Sequence, residues 1–97
     1  METRLETPLI GDILREEFLE PYSLSAYALA KAIHVPSSRI LEIIHNQRRI
    51  SVETALKLAR FFGTSERFFI NLQTDIDIRN LRQVNKAKLE SIHPLAV

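Results

Sequence analysis

Apolar residues in this chain recur three or four positions apart and nowhere alternate with polar ones over any length, so helices are expected and strands are not. The spacing predicts a first helix over residues 10–19, with Ile10, Ile13, Leu14 and Phe18 on one face. Pro21 is expected to stop it, because the residue before a proline is pushed out of helical geometry. Ser25 is a good N-cap for a second helix, residues 26–33, with Tyr27, Leu29, Ala30 and Ile33 as its apolar positions. Pro36 and Ser37 open a third helix carrying Ile40, Leu41, Ile43 and Ile44. Asn46 suits its left-handed close.

Ser51 is expected to cap a fourth helix, with Ala55, Leu58, Ala59 and Phe62 inward and Gly63 as its stop. A fifth is predicted to start at Thr64 and to carry Phe68, Phe69, Leu72, Ile76, Ile78 and Leu81. Residues 83–97 lose the periodicity and contain Pro94, so a short helix, a strand paired across a dimer and a loose tail are all open. No internal repeat is visible, and the short connections make successive helices spatial neighbours. The expected organisation is one all-α domain over residues 1–97, with its core at 8–82 and a C-terminal tail at 83–97.

Net charge is +1, but the charge is unevenly distributed. Residues 1–22 hold six acidic groups against two basic ones, a net of −4, whereas residues 23–63 hold six basic against two acidic, a net of +4. A basic middle attracts phosphate and an acidic start attracts a basic protein. The chain has no cysteine, which excludes disulfides and thiolate chemistry. It also has no apolar run of spanning length and no signal-like opening, so a cytoplasmic protein without membrane contact is expected.

The informative stretch is Ala28 to Ser51, ALAKAIHVPSSRILEIIHNQRRIS. Two short helices around a tight turn at residues 33–36 have the layout of a helix-turn-helix. Ala30 is small where the helices would cross, and Ile40 and Ile43 are spaced to pack back on Ile33. That arrangement turns Pro36, Ser37, Ser38, Arg39 and Glu42 outward, where they suit base reading in a major groove, with Arg39 on guanine as the first expected contact. His34 occupies a turn position that needs a positive φ, which histidine tolerates better than most residues. Phosphate contacts are expected from the amides at Ser25 and Ala26, which begin a helix, and from His45, Gln47, Arg48 and Arg49.

At these residues the sequence resembles the HigA/VapI group of XRE-type helix-turn-helix antitoxins. The resemblance runs from Pro8 to Leu72 through PLIGDILREEFLEPYSLSAYALAKAIHVPSSRI, IIHNQRRIS, ETALKLARFFGTS and FFINLQ, about two-thirds of the chain in consistent order. It implies a five-helix lambda-repressor-like DNA-binding domain with a short C-terminal extension. It also implies a dimer, a palindromic double-stranded operator in the protein's own promoter, and neutralisation of a HigB-type toxin. Three departures stand out. His34 replaces a common glycine, His45-Asn46-Gln47 stands where Asn-Gly-Lys is frequent, and Phe69-Ile70 replaces a frequent Trp-Leu.

The fifth helix has two apolar stripes, Phe69/Leu72/Ile76 and Ile70/Ile78/Leu81. One suffices for a core, so Ile70, Ile78 and Leu81 are a candidate dimer interface. A twofold dimer would set its recognition helices about 34 Å apart. The acidic start is a candidate site for a basic toxin. A stand-alone XRE regulator and a pure protein-interaction module are the competing readings. Catalysis is not expected: His34, His45 and His93 lie far apart without an acidic ligand pattern, Glu16 and Glu17 point in different directions, and no phosphate-binding glycine loop occurs. No cofactor or metal is called for.

Overall fold

In the computed structural model, which describes residues 8–96, an extended Leu9 leads into helix α1. Glu2, Arg4 and Glu6 of the acidic start lie outside the described residues. Helix α1 begins as a regular turn at Ile10–Ile13, widens to a π-helical turn over Leu14–Leu19 and closes in a 3-10 turn over Glu20–Tyr22. The expected bounds, residues 10–19, match the α and π turns, but Pro21 does not break the helical path, which the 3-10 turn carries through it. Glu20 keeps helical angles (φ −60°, ψ −44°), and its N–H reaches back five residues to the Arg15 carbonyl. The wider i→i+5 turn relieves the clash that a proline ring makes with the preceding turn. It also brings Leu19, five residues after Leu14, onto the same side, and both are buried. The helix ends at Ser23, which is left-handed at φ 51°.

Helix α2 is Ala26–Ile33, with Ser25 Oγ accepting the Ala28 N–H at 3.0 Å. Helix α3 is Ser37–Ile44, with Pro36 as its extended N-cap. Helix α4 is Val52–Phe62, where Ser51 Oγ accepts the Thr54 N–H at 3.2 Å. Gly63 ends α4 at φ 72°, and the Thr64 N–H bonds the Ala59 carbonyl at 3.0 Å to complete the cap. Helix α5 is Phe68–Val84 and so begins later than the expected Thr64. The Thr64 hydroxyl donates to the Ser65 carbonyl instead of capping, and residues 65–68 close a separate turn through the Phe68 N–H and the Ser65 carbonyl. In the tail a short helix α6 forms over Lys86–Glu90, and residues 91–96 follow it without helix or strand. Among the described residues there is no strand, and no helix is long and apolar enough to cross a membrane.

The core gathers one face from each of α1 to α5. Leu14, Leu29, Ile40, Ile43, Leu58 and Phe69 are fully buried, each contributing about 1.5–3 kcal/mol of transfer free energy. Phe18 joins α1 to α4 and α5, its ring centroid 5.0 Å from those of Phe62 and Phe69. Gly11 lets α1 touch the end of α3, since a Cβ there would lie 2.2 Å from the Ile43 carbonyl oxygen. On α5 the buried positions are Phe69, Gln73, Ile76 and Asn80, two of them polar, while Leu72 is only half-buried. The second expected stripe divides. Ile70 packs against the core cluster, whereas Ile78 and Leu81 are exposed.

Candidate nucleic-acid interface

Helices α2 and α3 meet as their spacing requires. Ala30 and Ile33 on α2, Val35 in the turn, and Ile40 and Ile43 on α3 are all buried. The turn is held by the Val35 N–H on the Ala30 carbonyl at 3.0 Å, a bond that forms only because His34 swings into the left-handed region at φ 59°, ψ 48°. Lys57 of α4 donates to the His34 carbonyl at 3.3 Å and also pairs with Glu53 at 3.5 Å, so the turn is braced from behind.

With its isoleucines inward, α3 turns its other side to solvent. Pro36 and Ser38 are exposed, and Ser37, Arg39 and Glu42 are partly exposed. This edge presents small hydroxyls and one guanidinium to solvent, with Glu42 at its far end. At the start of α2 the side chain of Ala26 is buried, so any phosphate contact there comes from its main-chain amide, which precedes the first intrahelical acceptor. Ser25 is exposed with its oxygen engaged as a cap.

The loop after α3 carries His45, Gln47, Arg48 and Arg49, all exposed. Two amide side chains define its shape. Asn46, at φ 59°, accepts the Gly11 N–H through Oδ1 at 2.8 Å and donates through Nδ2 to Asp12 at 3.1 Å. At the other end, Gln73 of α5 accepts the Ile50 N–H at 2.7 Å and donates to the Ile50 carbonyl at 2.9 Å. Gln73 and Ile50 are each 2% exposed, so these bonds form away from water, where leaving either group unpaired is costly. The basic segment is thus a fixed arch between α1 and α5.

Both arginines of the arch have internal partners. Arg48 Nε donates to Glu42 Oε1 at 2.7 Å, and Arg49 Nη1 donates to Asp77 Oδ2. Sequence reasoning picked out Glu42, Arg48 and Arg49 but not their pairing, and it missed Gln73 and Asp77, which lie 23 and 28 positions beyond their partners. The only local signal was a glutamine within an apolar stripe. His34, His45 and His93 do not converge with carboxylates: among the described residues no group of three or more potential ligands is poised to hold a metal.

This geometry is that of a helix-turn-helix, and the family model described as helix-turn-helix matches residues 16–69, more than half of the chain. The virulence-associated protein I of Dichelobacter nodosus is 48% identical over 93 residues, covering 94% of this chain and 85% of its own length. Among solved structures, the antitoxin HigA of Pseudomonas aeruginosa, determined with the higBA promoter, superposes with a TM-score of 0.83 at 37% identity, covering 91% of this chain and 97% of that one. A HigA-family addiction-module antidote protein from Coxiella burnetii gives 0.83 at 36% identity over 93% and 99%. The chain belongs to the HigA/VapI group of XRE-type helix-turn-helix antitoxins.

Proposed function

We propose that this protein is an operator-binding repressor of its own operon and that it neutralises a HigB-type toxin. The observation that carries the DNA reading is the solvent-facing edge of Pro36, Ser37, Ser38 and Arg39 on α3 beside the rigid arch at residues 45–49, which carries Arg48 and Arg49. In this reading α3 enters the major groove, with Arg39 on guanine and Ser37 and Ser38 on neighbouring base edges, while Pro36 and Glu42 bound the contact. His45, Gln47, Arg48, Arg49 and the α2 amides at Ser25 and Ala26 engage the flanking phosphates and set the register. A relative solved with its promoter supports DNA as the ligand class.

The working unit in this reading is a homodimer on a palindromic operator. Ile78 and Leu81, with Val84 and Leu89 nearby in sequence, expose large apolar side chains that a second copy would cover, whereas Ile70, expected with them, packs inward against the core. Each subunit acts as one domain over residues 1–97, with its core at 8–82. The toxin would dock on the acidic side of α1, where Glu16, Glu17 and Glu20 are exposed.

The test is operator binding by the Arg39→Ala protein, using a duplex from upstream of its own gene and single-base variants of it. Affinity is expected to fall by about 1–3 kcal/mol, with specificity relaxed at one base pair per half-site. Unchanged affinity and unchanged base preference would contradict the assignment of α3 as the reading helix.

A further inference from the structure

We infer that Glu42 and Asp77 set discrimination between operator and bulk DNA, by holding Arg48 and Arg49 in internal ion pairs that neutralise the arch without blocking its phosphate donors. The inference rests on the reading of residues 45–49 as a phosphate-contacting loop and goes beyond it by assigning two carboxylates a part in specificity. Neither Gln73 nor Asp77 lies near the recognition helix in sequence.

The charges in this patch cancel, two guanidiniums against two carboxylates. Binding to DNA at large depends on net positive charge near the backbone, because that charge releases the condensed counterions. A neutral patch contributes little to it. Contact at the operator is different in kind, since it depends on individual donors at hydrogen-bond distance. An arginine presents five N–H groups in a fixed fork, and each internal pair uses only one nitrogen. Arg48 is held through Nε, so both of its Nη groups stay available. Arg49 is held through Nη1, so Nη2 and Nε stay available. A carboxylate holding one nitrogen narrows the range a guanidinium samples and lowers the entropy cost of ordering a long side chain.

The pairs have a rigid base. Arg49 is the residue before Ile50, whose main chain is locked by the buried Gln73, and Asp77 lies one helical turn beyond Gln73 on α5. Glu42 sits on α3 itself, and the Gln47 N–H bonds its carbonyl at 2.8 Å, which fixes the path of the chain into Arg48. When base contacts by Ser37, Ser38 and Arg39 seat α3 in register, both forks arrive aligned on phosphates. When they do not, the loop presents a patch with no net charge.

The experiment measures binding of the full chain to its operator duplex and to a scrambled duplex of equal length, across a salt series, for wild type, Glu42→Gln, Asp77→Asn and the double variant. Both carboxylates are partly exposed, so the amides leave the fold intact. Each substitution should steepen the log–log salt slope on scrambled DNA by up to about 0.9, which is up to about eightfold tighter binding at 0.1 M salt relative to 1 M. Operator affinity should stay level or fall, so the ratio of operator to scrambled affinity drops. Asp77→Asn carries the test free of any base contact by Glu42. Equal strengthening on both duplexes, or no change on either, overturns the inference. Arg48→Ala and Arg49→Ala in the same series separate the two claims. If they weaken operator binding while the amide variants act alike on both duplexes, only the discrimination role fails. If they alter neither affinity nor slope, the phosphate-loop reading fails with it.

Discussion

The helix-turn-helix region and the C-terminal half of α5 obey opposite rules. Between Ser25 and Ser51 the apolar side chains that the spacing assigns to the helix crossing are buried, Ser25 caps α2, and the large apolar side chain left facing water is that of Tyr27. Beyond Asp77, Ile78, Leu81 and Val84 on α5 and Leu89 on α6 are between 46% and 56% exposed. A region that completes its packing within one chain can present a polar edge to a polar ligand. A region that leaves its packing incomplete invites another protein surface, here a second copy in our reading. Gln73 and Asp77 lie between the two, so the helix that carries the apolar face also shapes the loop at residues 45–49.

The contrast gives graded expectations. Ile40→Ala, inside the completed region, should cost about 2–5 kcal/mol in urea denaturation, because the cavity lies between two helices that cannot close on it. A loss below about 1 kcal/mol would show that this crossing is loosely packed. Gln73→Met keeps the volume but strands the Ile50 N–H and carbonyl, for an expected loss of about 1–3 kcal/mol. In that variant the amide of Ile50 should also lose hydrogen-exchange protection ahead of the α5 amides, and exchange unchanged at Ile50 would refute the clamp. The smallest effect on the fold belongs to Ile78→Glu with Leu81→Glu, expected to change subunit stability by no more than about 0.5 kcal/mol, as exposed sites generally do. The same pair of changes should convert a dimer to a monomer in sedimentation and weaken operator binding, and unaltered sedimentation would remove this face as the contact.

Features fixed by local geometry were legible before the structure. Ser25 and Ser51 as caps, Gly63 as a stop, and His34 and Asn46 in left-handed turns each follow from one residue and its immediate neighbours. What escaped depends on distant partners. The π turn forms because burying Leu19 beside Leu14 outweighs the local preference for a break at Pro21. Thr64 has the chemistry of a cap, but the close of α4 claims its N–H and its hydroxyl turns to Ser65. The outward residues of α3 were found from periodicity alone. The scaffold that aims the loop beside them, Asn46 on Gly11 and Gln73 on Ile50, spans 35 and 23 positions and leaves no periodic trace.

The most direct test of the assigned interface is amide chemical-shift mapping of the labelled protein as operator duplex is added. The account predicts that the largest changes fall on residues 37–42, on residues 45–49 and on the first turn of α2, while the amides of α6 stay still unless assembly changes. Shifts concentrated on α4 or on the outer face of α5, with Ser38, Arg39 and Arg48 unmoved, would contradict it.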